Sequence, residues 1–429
     1  MDIRPTTDQD HTVFVDTLHT AFGRFPETPA EDGGGVWWAA LEPERCLLAR
    51  AADGRPVGTA GTYAFELTLP GGVLAPVAGV TAVGVVPSHR RRGVLSAMMR
   101  HQLTELRAGG DYLSVLLASE AMIYGRFGYG PATYTRRLTV RRDQAAFAPS
   151  RADGADRAVR ADGTMDGNGA HGPTPVPAAG ARTGSVEVLR RSECGEILEE
   201  VYDRYRRAQP GALSRPPRWW AMGAGQPPVS RAPRYVAVHR DADGVPDGYA
   251  SYSIGDPDTL TADETIATDD AAFTALARFL LGHDLVGQVV FKHLPPEHPL
   301  RWQLADFRAC TLSGETDWLW VRLLDVPRAL TARGWSGDGE LVLDVTDPFL
   351  GEHGRHLLTV RDGKADCVPT DREPDLSLDV NDLGSIYLGG TAPSTLVRAG
   401  HIRAHHPAAA ALADTLFRAE RPPHCLHWF

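Results

Sequence analysis

The stretch VTAVGVVPSHRRRGVLSAMMRHQL at residues 80–103 decides the fold of this chain. A β-rich run passes through Pro87 into a turn of arginine and glycine, and an amphipathic helix pattern follows. Three arginines at positions 90–92 precede Gly93, so cationic side chains meet the unpaired N–H groups and the positive dipole end of a helix. This order of strand, arginine turn and helix predicts a site for a pyrophosphate group.

The size and composition of the chain exclude several classes of protein. Its 429 residues exceed one hydrophobic core, and domains of about 100–200 residues predict three of them. A formal net charge of −10 argues against nucleic acid as the main partner, because phosphate backbones bind basic surfaces. Five scattered cysteines, no signal segment and no apolar run of about 18 residues predict a cytoplasmic protein without a membrane span. No HExxH or Cys–His spacing predicts a metal site.

The first 148 residues read as an α+β domain that contains the arginine turn. A strand is expected around Ile3, then a helix capped by Thr7. Strands are expected at 46–51, 57–69, 73–86, 112–118 and 133–140, and a helix at 93–108. Residues 149–184 contain mostly Gly, Ala, Pro, Asp and Arg, which predicts a flexible linker or surface insertion.

Residues 185–310 repeat the element order of the first domain. Where the first domain has its arginine turn, the second has Ala267-Thr268-Asp269-Asp270, and two acids at a helix start repel a pyrophosphate. We interpret this segment as a second copy without cofactor binding, with an unrelated α+β domain as the alternative. Residues 311–429 form a third α+β unit that ends in the aromatic sequence HCLHWF, a segment we expect to be tied down.

Several blocks resemble one enzyme family. The run VVPSHRRRG at 85–93 is similar to the acetyl-CoA signature of GCN5-related N-acetyltransferases. The blocks ASE at 118–120, IYGRFGYGPAT at 123–133 and LGSIYLG at 383–389, with the terminal Phe429, resemble the Eis (enhanced intracellular survival) family of aminoglycoside N-acetyltransferases over nearly the whole length. The resemblance implies mixed α+β sheets, with tandem acetyltransferase domains followed by a sterol-carrier-like domain, and homohexameric assembly.

The resemblance also implies a set of site residues. Acetyl-CoA is the implied co-substrate, one per chain, and the residues that would hold it are Val83, Gly84, Val85, Arg91, Arg92, Gly93, Val94, Leu95, Ser96, Ser119 and Glu120. Tyr124 matches the family's general acid, and the α-carboxylate of Phe429 matches its general base. The expected substrate pocket contains Glu27, Asp32, Trp37 and Trp38, with Glu31 beside them. From the residues alone, core packing would also explain Tyr124, and a hydrophobic anchor would also explain Phe429.

The expected function is acetyl-CoA-dependent N-acetylation of aminoglycoside-like or polyamine substrates, at one or several positions. A protein or peptide lysine acetyltransferase would use the same machinery and is the first alternative. A lipid or sterol carrier, acting through the C-terminal domain, is the second. The glycines at 125, 128 and 130 superficially match a dinucleotide loop, but bulky aromatic residues stand among them and no βαβ unit with a ribose-binding acid follows.

Overall fold

The computed structural model describes residues 1–23, 41–149, 184–221, 234–255 and 258–429. These residues form two compact units. The first unit comprises Met1–Thr135, Asp203–Pro228 and Glu315–Phe429, and the second comprises Arg136–Tyr202 and Val229–Gly314. Apart from its two end positions, the predicted linker 149–184 lies outside the described residues. The boundaries at 148, 184 and 310 stay predictions.

The N-terminal part of the first unit follows the predicted order of elements. Its helix start is capped as expected, because the Thr7 N–H donates to Asp10 Oδ2 at 2.9 Å. The elements are β1 (Asp2–Pro5), α1 (His11–Ala21), β2 (Leu47–Arg50), β3 (Pro56–Thr68), β4 (Leu74–Val85), α2 (Val94–Ala108), β5 (Leu113–Leu117), α3 (Ala121–Tyr124) and β6 (Gly130–Pro131).

The middle of the chain supplies a second seven-stranded sheet, in the order β13-β7-β12-β11-β10-β9-β8. Its β11 and β12 pair in parallel, and its other neighbouring strands with a described register are antiparallel. The elements between residues 134 and 317 are β7 (Tyr134–Arg141), β8 (Ser185–Leu189), α4 (Ile197–Ala208), α5 (Pro217–Ala221), β9 (Tyr235–Arg240), β10 (Pro246–Gly255), β11 (Thr259–Ala267), α6 (Asp270–Leu281), β12 (Gln288–Leu294), α7 (Leu300–Gln303) and β13 (Cys310–Asp317).

The C-terminal part adds a five-stranded sheet, in the order β17-β16-β15-β18-β19. The elements are β14 (Leu319–Leu323), α8 (Val326–Ala332), β15 (Gly339–Asp347), β16 (Glu352–Arg361), β17 (Lys364–Pro369), β18 (Leu376–Asp379), α9 (Val380–Tyr387), α10 (Pro393–Ala399), β19 (Arg403–Ala404) and α11 (Pro407–Phe417).

Two strands join other sheets than their sequence position suggests. The first sheet has the order β1-β2-β3-β4-β5-β14-β6, so β14, expected in the third domain, is inserted between two strands of the first. Conversely β7, expected in the first domain, lies in the sheet of the second unit. All five residues of β14 are buried, and a strand buried on both faces needs a sheet that is covered on both sides. Local pattern predicts the strand but does not select its partner.

The core of the first unit is shared by distant chain segments. Phe65 of β3 and Val77 of β4 belong to the same buried cluster as Val321 of β14, Leu343 of β15 and Leu383 of α9. The C-terminal residues therefore stabilise the N-terminal sheet by apolar burial, and the two parts form one compact unit.

Candidate active site

A split between two parallel strands forms the centre of the candidate site. The β4 and β5 strands pair only at three positions, from Ala78 opposite Ser114 to Val80 opposite Leu116. Beyond Val80, β4 continues to Val85 without a partner on β5. Backbone groups on this side of β4 are therefore not used by the β4–β5 ladder, and the strands leave an opening between them.

A β-bulge shapes the part of β4 that borders this split. The β3–β4 register shifts by one residue between Thr59 and Gly61, and Ala82 has a φ of 52°. The Thr59 hydroxyl donates to the Ala82 carbonyl at 2.9 Å and holds the bulge. A bulge rotates the backbone that follows it, so it sets the direction of the N–H groups of the predicted cofactor residues Val83, Gly84 and Val85.

All three arginines of the turn are exposed, but Arg90 differs from the other two in its hydrogen bonds to the rest of the fold. Arg90 Nη2 donates to the Ala21 carbonyl at 2.5 Å, and Arg90 Nε donates to the Val85 carbonyl at 3.3 Å. These bonds fasten the turn to α1 and β4. Arg91 and Arg92 are exposed, and Arg91 has a left-handed φ of 60°. The structure thus separates the three arginines, which the sequence pattern treats alike.

The start of α2 offers an uncapped set of backbone donors. Gly93 is the N-cap residue, with φ 79°, and no side chain caps the helix. Val94, Leu95 and Ser96 form its first turn, and N–H groups at this position have no intrahelical acceptor. A Cβ built on Gly93 meets no atom within 4 Å, so a ligand has room to approach the backbone. Exposed arginines, left-handed backbone and free helix N–H groups fit a diphosphate.

Tyr124 lies on the α2 face of the split. The strand β5 ends before the exposed residues Ser119 and Glu120, and α3 then carries Tyr124 into a cluster with Val80 and Leu116. Its side chain is buried, with 7% exposure. Burial raises the pKa of the Tyr124 phenol, while a hydrogen bond with Ser119 opposes the rise. The phenol therefore keeps its proton at neutral pH and can donate it.

Phe429 lies on the opposite face of the same strand. Its ring centroid is 5.1 Å from that of Phe65 and 6.3 Å from that of Tyr63, both on β3. A Cβ built on Gly79 would lie 3.3 Å from the Phe429 ring. Because successive residues of a strand point to opposite faces, Gly79 turns toward Phe429 and Val80 toward Tyr124. The two predicted catalytic residues flank the last paired residues of β4.

The segment before Phe429 is held by contacts that the sequence did not reveal. The Trp318 indole donates to the His427 carbonyl at 3.2 Å, and Arg215 Nε donates to His427 Nδ1 at 3.3 Å. Burial and the Arg215 charge hold the pKa of His427 well below its usual range, so its imidazole is neutral. The Trp219 ring packs 4.6 Å from that of His427. In the sequence, the adjacent residues Trp219 and Trp220 are the feature that could have indicated that this segment packs against the C-terminal residues.

The predicted substrate residues Glu27, Asp32, Trp37 and Trp38, and their neighbour Glu31, lie outside the described residues. Aromatic residues near Phe429 are provided by other parts of the first unit. The rings of Tyr63 and Trp219 lie 5.0 Å apart, and both pack against Phe65. All three side chains are buried in the core of the first unit, so this group supports the Phe429 ring by packing.

The second unit has a similar strand split that its own side chains fill. The pairing of β11 and β12 ends at Ala262 opposite Phe291. The next residue, Asp263, forms ion pairs with Arg234 and with Lys292. At the start of α6, Asp269 Oδ1 accepts a hydrogen bond from the Ala272 N–H at 2.8 Å. The positions equivalent to the thioester and pyrophosphate sites are therefore taken by internal contacts.

Within the ranges that the structure describes, no three His, Cys, Asp or Glu side chains lie close enough to hold a metal ion. Nor does that part of the chain contain a helix long and apolar enough to span a membrane.

Three domain families match the chain. A family described as an acetyltransferase (GNAT) domain matches residues 2–132, and a second family of the same description matches residues 211–323. A sterol carrier protein domain matches residues 326–426.

Full-length relatives agree with these matches. An uncharacterized N-acetyltransferase of Streptomyces avermitilis is 34% identical, with 100% of this chain and 99% of the relative covered. The N-acetyltransferase Eis of Mycobacterium tuberculosis is 32% identical, with 97% and 96% covered. The crystal structure of Eis1 from Mycobacterium abscessus superposes with a TM-score of 0.82 at 31% identity, and both chains are covered completely.

Proposed function

Because this chain belongs to the Eis-like family of GCN5-related N-acetyltransferases, we propose that it acetylates the amines of small polycationic molecules, aminoglycoside-like or polyamine, with acetyl-CoA as donor. The single observation that carries the proposal is the strand split flanked by Tyr124 and Phe429 on opposite faces. A donor and an acceptor that approach from the two faces would meet between these residues.

The donor side of the site would be built from backbone and arginine groups. The N–H groups of Val94, Leu95 and Ser96, with Arg91 and Arg92, would bind the pyrophosphate. The backbone of 83–85 would donate to the thioester carbonyl and stabilise developing negative charge, which is worth on the order of 3 kcal/mol per donor. Ser119 and Glu120 would close the cleft. Acetyl-CoA, when bound, supplies the acetyl group as a thioester.

The proposed chemistry balances with one acid and one base. The amine nitrogen forms a bond to the carbonyl carbon, and the carbon–sulfur bond breaks. Tyr124 gives its proton to the departing sulfur, which a protonated phenol can do at neutral pH. The α-carboxylate of Phe429 attracts the substrate ammonium and accepts the first of its protons, directly or through water, which makes the nitrogen nucleophilic. The second proton, which the nitrogen loses after it bonds the carbonyl carbon, restores the Tyr124 phenol. Glu27, Asp32, Trp37 and Trp38 stay the predicted substrate residues.

The filled split of the second unit supports one acetyl-CoA per chain. The Asp263 ion pairs occupy the position where a thioester would have to bind, and the Asp269 cap places a negative charge where a pyrophosphate would have to bind. Equilibrium dialysis with acetyl-CoA would measure this stoichiometry. Homohexameric assembly is a further proposal from the family resemblance, and light scattering tests it. A cytoplasmic location is proposed from the five scattered cysteines of the sequence.

The structure gives less support to the lipid-carrier alternative. The interior of the C-terminal part contains the buried guanidinium of Arg333, which donates to the carbonyls of Tyr387 and Phe417. A cleft of about 730 Å³ borders Trp335, but Arg361 and Lys364 stand in its walls together with acidic residues. Burying lipid chains against charged groups is unfavourable.

A thiol-release assay tests the proposed function. Acetyl-CoA is offered with a panel of aminoglycosides, polyamines and a lysine peptide, and released coenzyme A is measured. We expect the aminoglycosides or polyamines to be preferred over the lysine peptide, and Tyr124→Phe to lower kcat by about 10²–10⁴-fold, the usual range for loss of a general acid. The matched control is Tyr134→Phe, because Tyr134 is a half-buried tyrosine whose hydroxyl forms a hydrogen bond with that of Thr391 at 2.8 Å.

Three outcomes would contradict the proposal. If no amine releases coenzyme A, acyl transfer to amines is wrong. A clear preference for the lysine peptide would favour the protein acetyltransferase. A variant extended by one glycine after Phe429 that retains full activity would exclude the carboxylate as base.

A further inference from the structure

Two of the glycines in the 125–130 block, Gly128 and Gly130, serve a purpose other than dinucleotide binding, because the C-terminal part of the first unit packs directly on them. A Cβ built on Gly130 would lie 1.9 Å from the Asn381 carbonyl oxygen of α9. On the facing helix, a Cβ on Gly384 would lie 2.3 Å from the Val321 carbonyl oxygen. Only hydrogen atoms fit between these backbones. The block that follows Tyr124 is therefore a packing surface for α9 and β14.

The tightest contact in this block is made by an arginine. Gly128 has a φ of 82°, and a Cβ built there would lie 1.5 Å from Arg322 Nη1 and 2.8 Å from a Val380 methyl group. The guanidinium of Arg322 thus lies directly against the Gly128 backbone. Any side chain at this position would displace the arginine or the block.

The Arg322 guanidinium is buried at a cost. Its side chain is fully buried on β14, and Nη2 forms an ion pair with Asp347 Oδ2 at 2.5 Å. Among the described residues, its Nε and Nη1 atoms have no hydrogen-bond partner although both are buried. A buried ion pair with unsatisfied donors is a poor source of stability, and an apolar side chain would fill the space better. Stability alone does not account for an arginine here.

Asp347 links this arginine to a second contact with the same block. Its Oδ1 atom accepts hydrogen bonds from the N–H groups of Phe349 and Leu350, at 3.1 and 3.0 Å. The resulting turn places the Phe349 ring 4.9 Å from that of Phe127, in an edge-to-face arrangement. The guanidinium carbon of Arg100, on α2, lies 4.5 Å from the centroid of the Phe349 ring. The block is held at Gly128 and at Phe127 by one ion pair and its turn.

Tyr124 is joined to the block by direct contacts. The Tyr129 N–H donates to the Tyr124 carbonyl at 3.3 Å, and the two rings pack 6.3 Å apart at 82°. The Tyr129 hydroxyl is itself hydrogen-bonded to Ser114 on β5, at 2.7 Å. Phe127, Tyr129 and Tyr124 belong to one buried cluster. Movement of the block would therefore move the phenol relative to β4 and β5.

We propose that Arg322, held by Asp347, is a positioning residue for Tyr124. Arg322 packs against the backbone of Gly128 and holds residues 125–130 in place, and these residues position the Tyr124 phenol at the strand split. This inference rests on the proposed function, because it takes Tyr124 as the acid. It makes the C-terminal part of the unit necessary for the chemistry of the N-terminal sheet.

The test uses the full chain with four variants. Arg322→Met removes the contact, and Arg322→Lys restores a cation that can reach Asp347. Arg322→Met/Asp347→Asn removes both charges, so it avoids an uncompensated buried carboxylate and keeps the test valid if the single variant folds poorly. The matched control is Arg333→Met, because Arg333 is equally buried but bonds the carbonyls of Tyr387 and Phe417.

Two measurements are made on each variant. Hydrogen exchange followed by mass spectrometry reports on the peptide 121–131 without any ligand. We expect exchange there to rise about tenfold in Arg322→Met and in the double variant, and to stay unchanged in Arg333→Met. In the thiol-release assay, kcat falls with the KM for acetyl-CoA unchanged, and Arg322→Lys recovers part of the loss.

The outcomes separate this inference from the proposed function. Wild-type exchange of peptide 121–131 in Arg322→Met and in the double variant overturns the inference, whether or not the enzyme is active. Equal loss of kcat in Arg333→Met also overturns it, because the effect would then be general destabilisation. A wild-type protein that releases no coenzyme A refutes the proposed function, while the exchange data still decide whether Arg322 holds the block.

Discussion

Replacing Gly79 by alanine tests most directly whether the Phe429 ring packs against β4. The new methyl group would lie 2.6 Å from two ring carbons of Phe65 and 3.3 Å from the ring of Phe429. Carbon atoms in contact are normally about 3.5–4.0 Å apart, so the overlap with Phe65 is close to 1 Å. The backbone cannot move away, because Gly79 is paired with Tyr63 on one side and Val115 on the other.

The side chains must therefore adjust, and the surroundings decide which one moves. The Phe65 ring is surrounded by Tyr63, Trp219 and His427, whereas Phe429 is at the end of the segment. We expect Phe429 to be displaced. Overpacking costs about 1–3 kcal/mol, and the reduced freedom of the unfolded chain offsets about 0.4–1 kcal/mol of that. The net loss of unfolding free energy lies between about 0 and 2.6 kcal/mol, and the close overlap with Phe65 places it in the upper half of that range.

The assay compares Gly79→Ala with Gly314→Ala, a change at another strand glycine whose new methyl group would lie 3.7 Å from Arg137 Cβ. Urea midpoints should fall for Gly79→Ala and stay equal or rise for Gly314→Ala. With a polyamine acceptor, kcat should fall only in Gly79→Ala, and the KM for acetyl-CoA should not change. If Gly79→Ala is as stable and as active as Gly314→Ala, the packing of Phe429 against β4 is wrong.

Two further predictions follow from charge and protonation. The double change Arg91→Ser/Arg92→Ser should raise the KM for acetyl-CoA about tenfold or more with little effect on kcat. Arg90→Ser should chiefly lower the melting temperature, because Arg90 is the arginine that bonds Ala21 and Val85. Equal effects of both changes on this KM would contradict the different roles assigned to Arg90 and to Arg91 with Arg92. Burial lowers the pKa of His298 to about 4 in the folded protein. Below pH 6.5 the unfolded chain therefore binds a proton at this residue that the folded protein does not bind. His298 should thus lower the free energy of unfolding by about 2 kcal/mol between pH 7 and pH 5. His298→Asn, which keeps an acceptor for the Leu300 N–H, should flatten that dependence in urea titrations at the two pH values, and an unchanged slope would contradict the assignment.

Most of the local structure was predictable from the sequence. The Thr7–Asp10 cap, the strands before Pro87 and the helix after Gly93 all form where short-range pattern places them. These features depend on backbone hydrogen bonds and side-chain periodicity within a few residues, so a single sequence contains the information. The family, the acetyltransferase activity and the two kinds of domain, acetyltransferase and sterol-carrier-like, were likewise predicted from motifs, and the comparisons confirm them.

The parts that failed or stayed hidden depend on partners far along the chain. The exchange of β14 and β7 between sheets was not predicted, because an apolar strand fits any covered sheet until pairing is chosen. Arg322 and Arg215 carried no sequence signal, since burial of an arginine becomes visible only when its neighbours are known.

The sequence by itself determined that a pyrophosphate-type turn follows a strand, and that tyrosine and phenylalanine candidates exist for the chemistry. Only the tertiary structure decided how they are arranged. It places Tyr124 and Phe429 on opposite faces of β4, beside the last pair that β4 makes with β5. It also separates Arg90, used to fasten the turn, from Arg91 and Arg92, which face solvent. The physical reason is that residue type and spacing encode local conformation, whereas the face, the burial and the partner of a side chain arise from contacts between segments that are hundreds of residues apart in the chain.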